Sequence, residues 1–289
     1  MSLHVGVQIW TTSPWERVRA GARLAEELGY DSVWVPDHLR TRGDAGPILE
    51  AWVTLAALAV EVNRVSLGPL VTPVGFRHPA LVANMAAALD HVSNGRAILG
   101  LGAGWFEEEY SAYGLPLGDA AERYARLGEA CQLTTDLLRE DVVSFSGRFY
   151  QVTGGRCLPK PVQSRLPLLV AGHGSGAIRA AARFADLWNV IALPNQISPY
   201  VRQLHAALKQ EGRPADAILA TASFRFGTPA PGAATDRYRL LGDDPAVADQ
   251  LRRYVAAGIR GFIVQSPPED VDGLERFLRV ARSIEVELP

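Results

Sequence analysis

Asp37 and His38 stand side by side in the run Val35-Pro36-Asp37-His38. Imidazole titrates nearer neutrality than any other side chain, so a histidine at the mouth of a fold suits proton transfer. The adjacent acid could orient it or bind a ligand; the plainer alternative is a hydrogen-bonded pair closing a strand. A second run is Gly102-Ala103-Gly104-Trp105-Phe106-Glu107-Glu108-Glu109. Its small residues let backbone N–H groups approach a ligand, and the turn that follows is expected to present Glu108 inward. Read more plainly, it is a tight turn followed by the acidic first turn that helix N-termini favour. A third run, Gly172-His173-Gly174-Ser175-Gly176, precedes an alanine-rich helix. Its successive N–H groups could hold a phosphate or carboxylate. It is neither a Walker loop nor the dinucleotide fingerprint, and no acid ends the next strand where that fingerprint needs one.

Metal chemistry is not expected. The six histidines (His4, His38, His78, His91, His173, His205) show no ligand spacing such as HExxH. The first strand reads Val7-Gln8-Ile9-Trp10, without the His-x-His that metal-dependent hydrolases bring from that strand of a barrel. Trp10, Trp52 and Trp105 either fill the core or, at loop positions, wall an aromatic ligand.

Strand and helix signals alternate along the whole chain and would position these runs. Candidate strands are His4–Trp10, Asp31–Val35, Val65–Val71, Arg96–Gly102, Pro167–Ala171, Leu187–Ala192, Ile218–Arg225 and Gly261–Gln265. Helical faces recur between them: Val18, Ala22, Ala25 and Leu28; Ala51, Leu55, Leu58 and Val62; Val82, Met85, Leu89 and Val92. Ser13-Pro14 and Gly29 punctuate the first helix; Asp243-Asp244-Pro245 and Gly258 punctuate the seventh. Eight such units favour an α/β fold of the (β/α)₈ TIM-barrel kind over an open doubly wound sheet. Ligands then collect at the carboxyl ends of the strands, where all three runs lie. The spacing breaks once, between Gly102 and Pro167. A long helix, Ala120–Leu138, and a hairpin, Val142–Val152, fill this excursion between strands four and five. Residues 1–289 are read as a single barrel domain, with Gly227–Leu241 an irregular loop.

Composition excludes several classes. The chain has 289 residues, 48% hydrophobic and 21% charged, with a formal net charge of -2. That balance gives no global pull toward nucleic acid or an anionic membrane. No apolar run reaches the roughly 18 residues a membrane helix needs. The opening MSLHVGVQIW lacks a basic region and cleavage site, so a cytoplasmic protein is expected. Cys131 and Cys157 do not make a disulfide framework.

The chain resembles the bacterial luciferase-like flavin and deazaflavin oxidoreductases over nearly its whole length. The resemblance rests on VGVQIW, LAEELGYDSVWVPDHL, LGPLVTPVGFRHPALVANMAAALDHVSNGRAILGLGAGWFEEEYSAYG, FSGRFYQV, PKPVQSRLPLLVAGHGSG and ADLWN. The Asp-His pair and the GAGW run with its glutamates are most similar to the coenzyme F420 branch. That resemblance implies a (β/α)₈ barrel that moves a hydride between F420 and a small organic substrate, with His38 catalytic near the reactive ring carbon. It implies cofactor contacts at Asp37, Gly104, Trp105 and Glu108, and a phosphate loop at Gly172, His173 and Gly174. A bulge at Leu70-Val71, often with a non-proline cis peptide, would back the ring. Trp10 and Trp52 are taken as substrate-pocket walls. Arg40, Arg42 and Lys160 are candidates for the acidic tail of the cofactor. The sugar-phosphate dehydrogenases of the branch carry a catalytic glutamate where this chain has Trp105, which argues against glucose 6-phosphate. The resemblance also implies a homodimer. The alternatives are an FMN-dependent monooxygenase using reduced flavin and O₂ from a separate reductase, and a flavin-binding protein without turnover.

Overall fold

The computed structural model describes residues 2–44, 46–226, 238–267 and 270–286. Most of the irregular loop expected at Gly227–Leu241 lies outside them. Nine parallel strands form one sheet: β1 (His4–Ile9), β2 (Ser32–Val35), β3 (Ser66–Pro69), β4 (Thr72–Pro73), β5 (Leu99–Gly102), β8 (Leu168–Ala171), β9 (Leu187–Ile191), β10 (Leu219–Arg225) and β11 (Gly261–Ser266). Their order is β3-β2-β1-β11-β10-β9-β8-β5-β4. The expected third strand is thus two short strands, β3 and β4, with Leu70 and Val71 between them. The sheet ends meet where Leu67 N–H reaches the Arg96 carbonyl at 3.0 Å and Ile98 N–H reaches Leu67 O at 2.9 Å. The result is a barrel of eight strand positions.

Close approach inside the barrel explains the glycines of the strands. Trp34, Ile98, Leu169, Leu187 and Ile263 fill the interior. A Cβ on Gly6 would lie 2.9 Å from the Trp34 indole nitrogen and would meet the Ser32 hydroxyl, so only glycine leaves room for that indole. A Cβ on Gly100 would run into the Pro69 carbonyl and lie 3.0 Å from Val71 Cγ1; one on Gly102 would lie 2.5 Å from Val71 Cγ2. The two glycines of β5 therefore make space for the break in the third strand.

Helices α1 (Trp15–Leu28), α2 (Ala51–Glu61), α3 (Pro79–Val92), α6 (Ser175–Phe184), α7 (Ile197–Gln210), α8 (Asp244–Ala256) and α9 (Val271–Glu285) pack outside. Gly29, at φ 98°, ends α1, and Asp243 accepts the Ala246 N–H to start α8. On α3 the buried stripe is Pro79, Val82, Ala83, Ala86, Ala87, Leu89 and Asp90. Val92, expected on that face, is half exposed, because a stripe built on small alanines rotates the helix toward them. No helix among the described residues is long and apolar enough to cross a membrane.

Between β5 and β8 the chain runs through α4 (Glu107–Ala112), α5 (Ala120–Arg139) and the antiparallel hairpin of β6 (Val143–Ser146) and β7 (Gln151–Gly155). The hairpin is a separate two-stranded sheet. The Glu129 carboxylate on α5 accepts the N–H groups of Arg148 at 2.8 Å and Phe149 at 2.9 Å, and Tyr150 donates its hydroxyl to the Val74 carbonyl at 3.0 Å. These bonds fasten the hairpin turn to α5 and to the end of β4.

Gly100→Ala is expected to destabilise the protein by about 1–3 kcal/mol, the cost of overpacking a closed strand pair. Urea unfolding checks this, and an unchanged midpoint would show that the seam tolerates a Cβ.

Candidate active site

Asp37 and His38 follow β2 in a loop, and their side chains take different partners. Asp37 is 1% exposed. Its carboxylate accepts the Thr72 hydroxyl at 2.7 Å and the Arg77 guanidinium at 2.7 and 3.3 Å. Arg77 also reaches Glu50 at 2.6 Å, and the Trp52 indole donates to Thr72 Oγ1 at 3.1 Å. Burial pushes the Asp37 carboxyl above the usual range, against the pull of Arg77 and Thr72. Asp37 therefore binds the loop after β2 to the end of the third strand rather than orienting His38. Trp52, expected as a pocket wall, is buried at 6% exposure behind the same group.

His38 is oriented by a different acid. Glu109, in the first turn of α4, is buried and lies 3.0 Å from His38 Nδ1. Its Oε1 also accepts the N–H groups of Leu39 at 2.5 Å and Arg40 at 3.2 Å. Burial would raise the Glu109 carboxyl, but the bond and charge of His38 and the two amides outweigh it and hold it below its ordinary range. An ionised carboxylate only accepts, so Nδ1 carries hydrogen and Nε2 is left as the reactive nitrogen. Nε2 has no partner among the described residues. Sequence reasoning missed Glu109 and chose Glu108, which is exposed. The signal was available: an acid one place further on lies on the next face of a helix, level with the buried Tyr110.

The remaining expected residues divide. The Leu70–Val71 peptide is cis, and Leu70 O accepts Gln8 Nε2 at 2.7 Å. Gly104 has φ +80° and lies against Tyr110, whose ring a Cβ there would meet at 3.0 Å. Trp105 is exposed and stacked on Phe106 at 5.3 Å, with the His38 ring edge-on at 6.0 Å. Gly172 has φ +130°, and Gly174 begins α6 with no side chain capping the helix, which leaves first-turn N–H groups for a ligand. His173 is exposed, 5.1 Å from Tyr200. Trp10, at the end of β1, lies under the Arg225 guanidinium at 5.1 Å. Arg42 covers the Trp105 ring at 4.5 Å. Lys160 is not at the rim: its ammonium binds the carbonyls of Leu137 and Glu140 at the C-terminal end of α5, where a cation satisfies orphan carbonyls. Among the described residues no group of three or more His, Cys, Asp or Glu could hold a metal ion.

The model of the luciferase-like monooxygenase family matches residues 1–230. The chain belongs to that family. A curated relative, the F420-dependent glucose-6-phosphate dehydrogenase of Amycolatopsis mediterranei (strain U-32), is 36% identical over 166 residues, 56% of this chain and 49% of the relative. The chain thus spans about half the length of that curated relative. Among solved structures, an F420-dependent secondary alcohol dehydrogenase in complex with an F420-acetone adduct superposes with a TM-score of 0.86 at 20% identity, covering 97% of this chain and 98% of that one. The F420-dependent tetrahydromethanopterin reductase of Methanopyrus kandleri gives 0.86 at 19%, covering 99% and 100%. At these identities the likeness is one of fold, and it bears out the luciferase-like barrel.

Because the Glu109 carboxyl is held below its ordinary value near 4.5, its ionised form adds stability above that value and loses it as pH falls through the lower folded value. Glu109→Gln should therefore cost about 1–3 kcal/mol at neutral pH. The gap to wild type should narrow as pH falls below that ordinary value. Urea unfolding at several pH values measures it; a gap independent of pH would remove the charged bond from the account.

Proposed function

We propose that this protein is an F420-dependent oxidoreductase in which His38 handles the substrate proton. The observation that carries the reading is the His38 imidazole at the barrel mouth, with Nδ1 held by Glu109 and Nε2 free to act. The F420-dependent relative supports the cofactor. When bound, the deazaflavin would supply or take up the hydride. The donor set fits it: the uncapped N-terminus of α6 with Gly172 and Gly174 suits phosphate, and the Leu70–Val71 bulge offers a surface for the ring. Reduction of a carbonyl carbon leaves charge on oxygen, and the His38 imidazolium gives that oxygen its Nε2 proton and becomes the neutral ring; in oxidation the bare Nε2 of the neutral ring takes the alcohol proton back. Glu109 stabilises the imidazolium that oxidation forms. Gly104 lets the backbone after β5 lie close to Tyr110 and so shapes the floor. Asp37 acts on the cofactor through the loop it fastens. The competing reading, an FMN-dependent monooxygenase fed by a separate reductase, draws on the family description itself. The whole barrel works as one domain in this reading.

F420 and FMN titrated side by side should show F420 binding at least about tenfold tighter, roughly 1.4 kcal/mol. His38→Ala should lower kcat by roughly 10²- to 10⁴-fold with little change in F420 affinity. Tighter binding of FMN would overturn the cofactor, and full turnover in His38→Ala would overturn the acid–base role.

We further propose a homodimer. Alanines of α2 and α3 such as Ala51, Ala59, Ala83 and Ala87 are buried against the barrel, so they are not the surface that pairs. The two helices instead expose Val53 at 72%, Val60 at 70% and Leu81 at 53%, an apolar strip of the kind that marks an interface. Sedimentation should give a dimer at micromolar concentration and a monomer for Val53→Glu with Val60→Glu. A monomeric wild type would contradict it.

A further inference from the structure

Beside His38 lies an aromatic surface that proton transfer does not explain. Trp105 lies on Phe106 at 5.3 Å and 22°, and both rings stand edge-on to His38, at 6.0 and 6.3 Å. Phe106 is 6% exposed, but the indole is 54% exposed, an unusual position for a large aromatic ring beside a reactive imidazole. The Arg42 guanidinium covers the indole at 4.5 Å. An open depression of about 740 Å³ lies on this layer, its lining including Arg42, Trp105, Glu107 and Glu108. Its size suits a small organic molecule.

The charges of the lining restrict what that molecule is. One cation faces two carboxylates, so a phosphate ester or carboxylate gains Arg42 but meets Glu107 and Glu108. An uncharged planar group needs no compensating charge. It can lie along the outer plane of the guanidinium or against the part of the indole that Arg42 and Phe106 leave exposed, both of which interact with π systems. We propose that Arg42 and Trp105 form the substrate platform, and that the platform takes an uncharged, planar, conjugated carbonyl compound. The carbonyl follows from the proposed function, on which this inference rests: His38 Nε2 needs an oxygen to protonate. Trp105 then belongs to the substrate side of the site rather than to the cofactor contacts that the sequence suggested.

Calorimetric titration of the full chain with trans-cinnamamide, trans-cinnamate and glucose 6-phosphate tests the platform. Cinnamamide should bind at least roughly tenfold more tightly than either anion. Trp105→Ala should weaken cinnamamide by a similar factor, while Trp105→Phe, which keeps an aromatic face, should restore most of the affinity. Circular dichroism establishes that each variant is folded. Absence of cinnamamide binding at millimolar concentration, equal or tighter binding of cinnamate or glucose 6-phosphate, or unchanged affinity in Trp105→Ala would each overturn the platform. The three probes are titrated without cofactor, and F420 is titrated separately into the same preparation. Failure of F420 to bind would strike the proposed function; the probe ranking strikes the platform alone.

Discussion

A parallel barrel must bring its first and last strands into register, and here the seam falls inside a single stretch of chain. β3 pairs with β2 and, through Leu67, with the segment just before β5; β4 pairs with β5 itself. Between them Leu70 and Val71 leave the ladder, and Gly100 and Gly102 give up side chains to accommodate the departure. That concession has a functional return. It sets an irregular surface at the carboxyl end of the strands, next to the loops that carry His38 and Trp105. Residues that look like packing glycines in β5 are thus part of how the mouth is shaped.

Two carboxylates then govern the mouth, and their surroundings drive them apart. Asp37 lies in a dry site where burial raises its carboxyl even beside Arg77, so its work is to fix a loop. Glu109 is equally inaccessible, but two backbone amides and an imidazole meet its oxygens, and it stays ionised. Environment rather than residue type makes one acid a fastening and the other the orienter of the histidine. Glu109 also gathers Leu39 and Arg40, so it fixes the path of the chain toward Arg42. The imidazole and the cation over Trp105 therefore depend on the same buried carboxylate.

Periodicity and strand-end punctuation carried the barrel in the sequence, because alternating apolar runs and capped helices are local signals. All eight strand positions were legible; the ends differed by one to three residues, as at Val65 and Arg96, where pairing gives out, and at Ser266, which pairs with Ile9 beyond the expected end. The Leu70–Val71 departure was legible only through the family resemblance, since no local pattern marks it. Long-range partnerships were not legible. The acid bound to His38 lies 71 residues away, and adjacency in sequence pointed instead to Asp37, whose carboxylate is held by Thr72 and Arg77. Trp52 and Lys160 show the same limit: their types suited the rim, and sequence gave no sign that Thr72 and the end of α5 hold their polar atoms.

The tautomer of His38 tests the account most directly. In a ¹⁵N-labelled sample at alkaline pH, long-range ¹H–¹⁵N correlations distinguish a protonated ring nitrogen from a bare one. The account predicts hydrogen on Nδ1 and a bare Nε2 in wild type, with that preference weakened in Glu109→Gln. A wild-type ring protonated at Nε2 would mean that Glu109 does not set the histidine, and the proton-transfer role built on that pair would fall with it.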